Sequence, residues 1–263
     1  TPDAKTGKAR IEYLPQGKYQ LKEDAVSGYI TLTGIEFELT SEHTKAQPLQ
    51  FTVSNIPTRF LLEKQDGVTK QPLKGAKFKL TDEKGNVIKL VKQEDGTYHP
   101  AKQGETGVEV LELSGDKAQA VICYLPAGKV TVTEVEGPSG YSIAAPITTE
   151  VGTEVVLHTA LAAQAEDMKK HTIAETSLAV IDLPLALKIS KVHSKTQKPL
   201  AGAGFAIKAE GTLSTPLRFT VRDGVYWYDP QGNVTTIQAA GEQCTALIYG
   251  LPAGKYQIEE TVV

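Results

Sequence analysis

One stretch, LPAGKVTVTEVEGPSGY at 125–141, recurs imperfectly as LPQGKYQLKEDAVSGY at 14–29 and as LPAGKYQIEETVV at 251–263. A chain that repeats itself on this scale builds several copies of one small unit rather than a single large core. In each copy a Pro-x-Gly turn leads into alternating residues that read as a β-strand, and a glutamate stands six positions after the glycine: Glu23, Glu134 and Glu260. Side chains two apart share one face of a strand, so Tyr19 with Leu21, Val130 with Val132, and Tyr256 with Ile258 mark the apolar face. The glutamate falls on that face every time. A carboxylate aimed into a core is costly unless it is paired or protonated, so its recurrence in one register requires a chemical reason.

Further repetition defines the unit. Phe60, Leu62 and Lys64 alternate, as do Leu187, Ile189 and Lys191, and QPLKGAKF at 71–78 parallels KPLAGAGF at 198–205. Asn55 and Asp182, Lys64 and Lys191, and Phe78 and Phe205 are each 127 residues apart. The expected organisation is the C-terminal part of a first domain over 1–56, a complete domain over 57–183, and a third domain over 184–263 lacking its last strand. The segments 56–58 (IPT) and 183–185 (LPL) serve as short, stiff junctions. The outer units are expected to find complementary strands in further sequence or in another copy of the chain, because unpaired edges are sticky. The fold class is all-β: tandem antiparallel β-sandwiches. Further strands are expected within 9–14, 30–39, 49–55 and 144–157, and the Ala-rich, charged stretch 159–171 reads as a short helical insertion.

With 40% hydrophobic residues in 263, the chain can bury real cores. A net charge of -3, with both signs mixed along the sequence, supplies no basic stripe and excludes a nucleic-acid binder. No apolar run is long enough to span a bilayer, and no signal peptide is present. Cys123 and Cys244 sit at non-equivalent positions of different repeats, so no disulfide is expected, and two thiols cannot by themselves make a zinc site. The histidines are scattered without ligand spacing, so neither a metal nor another cofactor is expected. The GAG at 202–204 is a turn of the repeat, and there is no nucleophile elbow or phosphate loop; a turnover enzyme is therefore not expected.

Three kinds of polar residue occupy apolar positions: a lysine ending the first strand, the glutamate, and an Asn or Asp ending the last strand. Phe51, Val53 and Asn55 share a face, as do Leu178, Val180 and Asp182. The middle unit thus offers Lys64, Glu134 and Asp182; the first retains Glu23 and Asn55, and the third Lys191 and Glu260. On residue chemistry alone, such a set is either an inert buried ion cluster or a reactive one.

The combined pattern, a lysine, then PLxGA, then LPxGKYxxxE with PxGY, then ValxAsn or ValxAsp, resembles the collagen-adhesin B-type repeat. This is the immunoglobulin-like or transthyretin-like module of Gram-positive adhesins and SpaA-like pilins. The resemblance covers nearly the whole chain. It implies a spontaneous intramolecular isopeptide bond between the lysine and the Asn or Asp, with the glutamate as catalyst. Carried over, this assigns Lys64, Asp182 and Glu134 to one bond, Glu23 and Glu260 to the catalytic position of the outer units, and leaves Asn55 and Lys191 without partners in this chain.

Burial favours neutral forms, a free amine and a protonated acid, which would make Lys64 a nucleophile and let Glu134 polarise the Asp182 carboxyl group and shuttle protons. The module is then self-modifying in a single turnover and not an enzyme. The resemblance implies a stalk or shaft segment of a pilin or cell-wall adhesin, extracellular, in contact with other subunits or host matrix and not inserted in a membrane. The alternative is a binding module for a host protein or glycan, using strand edges, the stretch 158–176, or the aromatics Tyr226, Trp227 and Tyr228. Alternation places Tyr226 and Tyr228 on one face, which core packing explains.

Overall fold

The computed structural model describes residues 3, 5–30, 35–51, 55–152, 154–157, 172–212 and 214–262, and their regular structure is entirely β. The first unit contributes β1 (Gly17–Leu21), β2 (Tyr29–Ile30) and β3 (Ile35–Leu39). Antiparallel pairing of β1 with β3 sets Tyr19 opposite Phe37, and their rings stack with centroids 5.6 Å apart. The strand expected within 9–14 does not form. Its alternation has no core to face: Ile11 and Tyr13 are 68% and 98% exposed, and Tyr13 adopts a left-handed φ of 67° that interrupts an extended run. Of the strand expected within 49–55, residues 49–51 are irregular and 52–54 lie outside the described residues.

The middle unit is built from β4 (Ile56–Asp66), β5 (Ala76–Asp82), β6 (Leu90–Lys92), β7 (Tyr98–Pro100), β8 (Leu111–Leu113), β9 (Gln119–Cys123), β10 (Gly128–Glu136), β11 (Ile147–Val151), β12 (Glu154–Leu157) and β13 (Thr172–Asp182). One sheet runs β11-β10-β5-β8 and the other β12-β13-β4-β9-β7-β6. Between them Phe60 and Leu62 of β4 meet Phe78 and Leu80 of β5, Val130 and Val132 of β10, and Val180 of β13. Strand alternation produces this core: in β4 every second residue from Thr58 to Asp66 is buried. The sheets are antiparallel except where β7 meets β9 and where the opening and closing strands, β4 and β13, lie side by side in parallel. That last pairing runs from Thr58 opposite Ala174 to Asp66 opposite Asp182. The stretch 159–171 expected to be helical lies outside the described residues.

The third unit comprises β14 (Ala186–Ser190), β15 (Gly204–Ala209), β16 (Phe219–Arg222), β17 (Val225–Tyr228), β18 (Ile237–Gln238), β19 (Thr245–Tyr249) and β20 (Tyr256–Val262). Its sheet orders, β14-β19-β17-β16 and β18-β15-β20, reproduce β4-β9-β7-β6 and β8-β5-β10 of the middle unit. It has its own core of Ile207, Phe219, Ile237, Ile248 and Leu251, against which Tyr226 and Tyr228 pack. Among the described residues no strand lies on the outer side of β14. Cys123 and Cys244 are both buried.

Candidate functional site

Lys64 leaves β4 on its buried face, two residues beyond Leu62, and its side chain has no solvent exposure. Parallel pairing with β13 places Val180 beside Lys64, so Asp182, two residues further along the same face, meets the lysine ammonium group. Lys64 Nζ is in direct ion-pair contact with Asp182 Oδ1. From the opposite sheet, Glu134 of β10 lies across from Phe78 of β5, where a register shift between Glu134 and Glu136 marks a bulge. A bulge bends a strand and re-aims its side chains. Glu134 Oε2 accepts hydrogen bonds from Lys64 Nζ at 3.1 Å and from the Ala144 backbone N–H at 3.0 Å.

The enclosure is complete: the side chains of Lys64, Glu134 and Asp182 are all 0% exposed. Glu134 Oε1 and Asp182 Oδ2 are enclosed without a hydrogen-bond partner among the described residues, and Asp182 Oδ1 has only the Lys64 ion pair. With all three groups ionised, the cluster would hold one cation and two anions away from water, an expensive arrangement. Burial raises the pKa of Glu134, and its contacts with the Ala144 N–H and Lys64 offset only part of that shift. A proton on Glu134 brings the set to neutrality. Gly137 packs closely under the following loop, where a Cβ would lie 3.0 Å from Ile143 Cγ1.

A fourth buried charged residue, Asp66, was not expected from the sequence, although it stands two positions after Lys64 on the same face of β4. It accepts the Tyr141 hydroxyl at 2.6 Å and the backbone N–H groups of Val68 and Thr69 at 2.7 and 3.0 Å. Burial pushes Asp66 up, but these bonds outweigh it and hold the carboxyl below its ordinary range; Tyr141 is raised by its own burial and then by the Asp66 bond and charge.

The outer units are arranged differently. Lys191 Nζ and Glu260 Oε2 pair at 2.6 Å, with side chains 25% and 29% exposed. Glu260 lies opposite Phe205, as Glu134 lies opposite Phe78. In the first unit no hydrogen bond or ion pair joins Glu23 to Asn55 among the described residues, and Glu23 Oε2 is enclosed without a partner there. No cluster of His, Cys, Asp and Glu suited to a metal ion occurs among the described residues.

Chemically, the middle site sets an amine against a carboxyl group beside a second acid whose burial favours its protonated form, all shielded from solvent. That is the arrangement amide condensation requires.

A family model for the SpaA prealbumin-like fold domain matches residues 58–162 and 186–263. No curated protein matches the chain in sequence. Among solved structures, the Bacillus anthracis TIE protein is 22% identical with a TM-score of 0.39, over 95% of this chain and 37% of that one. The Streptococcal ancillary pilin is 19% identical with a TM-score of 0.35, over 94% and 67% of the two chains. GBS52, the minor pilin of the Gram-positive pathogen Streptococcus agalactiae, is 19% identical with a TM-score of 0.36, over 73% and 69%. The chain thus spans about a third of the length of the TIE protein.

Proposed function

The chain belongs to the SpaA family of prealbumin-like fold domains, and from that premise we propose that it is a shaft or stalk segment of a Gram-positive pilin or surface adhesin. Its middle unit becomes internally crosslinked. The units divide at the junction prolines, into 1–56, 57–183 and 184–263. The protein is displayed outside the cell, with neighbouring subunits of its assembly or host matrix as partners.

The observation that carries this reading is the contact of the enclosed Lys64 amine with the Asp182 carboxyl group beside Glu134. In the reaction, Glu134 holds a proton and polarises the Asp182 carboxyl by hydrogen bonding. The Lys64 ammonium group first passes one proton to the Asp182 carboxylate; the neutral amine then attacks Cγ, Nζ gives up a second proton, and one carboxyl oxygen leaves with both protons as water. One N–C bond forms and one C–O bond breaks, and Glu134 ends with the proton it began with. The neutral amide removes the cost of enclosing the ions, which supplies a driving force that solution condensation lacks. Closing a loop of more than a hundred residues stabilises the unit by roughly 4–5 kcal/mol if disulfide loop entropy applies.

Intact mass after full denaturation tests the reading. One water less than the sequence mass is expected, with the missing water traced by fragmentation to a peptide joining Lys64 to Asp182; an unmodified mass overturns it.

A further inference from the structure

The loop after Glu134 reaches beyond its own unit. Gly140 is buried with a φ of +86°, its carbonyl accepts the Leu185 N–H at 2.8 Å, and Tyr141 forms a β-bridge with Pro184. The Leu185 carbonyl in turn accepts the Gly250 N–H at 2.9 Å. The other boundary repeats this arrangement. Gly28 is buried with a φ of +86°, its carbonyl accepts the Thr58 N–H at 3.0 Å, Tyr29 pairs with Pro57, and the Thr58 carbonyl accepts the Tyr124 N–H at 3.0 Å. Thr58 and Leu185 each follow a junction proline. Tyr124 and Gly250 each precede a Leu-Pro turn, and both are left-handed, with φ of 58° and 78°. The linkers differ in sequence, IPT against LPL, so recurrence of the same backbone bonds reflects a designed contact rather than two accidents.

Only bare backbone fits at its centre. A Cβ on Gly28 would lie 2.7 Å from Tyr124 Cβ, and one on Gly140 would lie 2.7 Å from the Gly250 carbonyl carbon. By contrast, Gly75, also left-handed at +92°, has nothing within 4 Å. The back of the second loop is anchored in its own unit, by the Ala144 N–H on Glu134 and the Tyr141 hydroxyl on Asp66. That anchorage makes it a stiff platform rather than a tether.

We propose that the Ser-Gly-Tyr loop is a docking surface whose partner is the following unit of the same chain. It grips the residue after the junction proline and, through it, the residue before Leu-Pro, so that successive units are set in one repeated pose. The linker prolines align the two halves of this joint; the glycine lets them close.

The test measures the distance between units in the whole chain by double electron–electron resonance. Spin labels are placed at Ser114→Cys and Ser214→Cys, both exposed positions, while Cys123 and Cys244 are buried. A single narrow distance distribution is expected. Gly140→Ala should broaden it several-fold in width, whereas Gly75→Ala, with a comparable left-handed backbone but open space, should leave it narrow. Leu185→Pro, which removes the N–H donated to Gly140 while leaving the loop sequence intact, guards against misfolding of the loop variant and should also broaden it. A broad distribution in the unsubstituted chain, or narrow ones in both joint variants, overturns the proposal.

Discussion

The middle and third units carry the same lysine and glutamate in the same register, yet their environments differ entirely. Lys64 and Glu134 are fully enclosed, while Lys191 and Glu260 remain 25% and 29% exposed. The difference is a strand. β13 lies beside β4 and delivers Asp182, and among the described residues nothing occupies the corresponding place beside β14. Water reaches the third pair and screens it, so its contribution is small. A lysine–glutamate pair on a sandwich face is therefore ordinary until a closing strand seals it and brings a second carboxyl group.

Replacing the acid that holds the proton separates the two sites most sharply. Glu134→Gln keeps the volume and an acceptor for the Ala144 N–H but cannot shuttle protons. Formation of the Lys64–Asp182 bond should slow by about 100- to 10,000-fold, followed as intact mass over time after refolding. Bonding at the unsubstituted rate would remove Glu134 from the chemistry.

Next in size is removal of the lysine itself. Lys64→Met forfeits the crosslink and strands Asp182 in the core, and should cost at least about 3–5 kcal/mol of unfolding free energy in urea titrations. A loss under about 1 kcal/mol would show that enclosure gives the middle site no special character.

The third expectation concerns pH. Burial raises Glu134 above the value of 4.5 it has when unperturbed, so the folded state holds the proton more tightly than the unfolded state. Its stabilising contribution is full below that value and is lost as pH rises through the folded pKa, with a slope no steeper than about 1.4 kcal/mol per pH unit. Urea midpoints across this window should fall with rising pH, and Glu134→Gln should flatten the decline. A slope identical in the two proteins would assign it to other groups.

The smallest effect belongs to the open pair. Lys191→Met should change stability by less than about 1 kcal/mol, and by still less in concentrated salt. A loss matching that of Lys64→Met would erase the contrast between the two sites.

Much of the site was legible because strand parity is a hard geometric rule: Lys64, Glu134 and Asp182 continue the stripes begun by Leu62, Val132 and Val180, and all are buried. The same rule misled at 9–14, because alternation describes a strand only when a core exists for it to face. Asp66 lay on a stripe already in use, but its partner Tyr141 comes from a loop after β10, and no spacing in sequence announces that meeting. The Ala144 N–H on Glu134 is equally silent, since any residue but proline could supply it. The family resemblance provided the sheet class; the parallel sense of β4 and β13 had to come from coordinates.

That parallel pairing has a consequence in time. β4 opens the middle unit and β13 closes it, so Thr58 meets Ala174 only when nearly the whole unit has been made. Contacts of such long sequence separation slow folding, since the loop must close before they return any stabilisation. An interval therefore separates the arrival of the two strands, however the chain emerges. Throughout it β4 is an open edge, liable to pair with a neighbouring chain, and β9, already able to bond its other side, is the strand that keeps it in register.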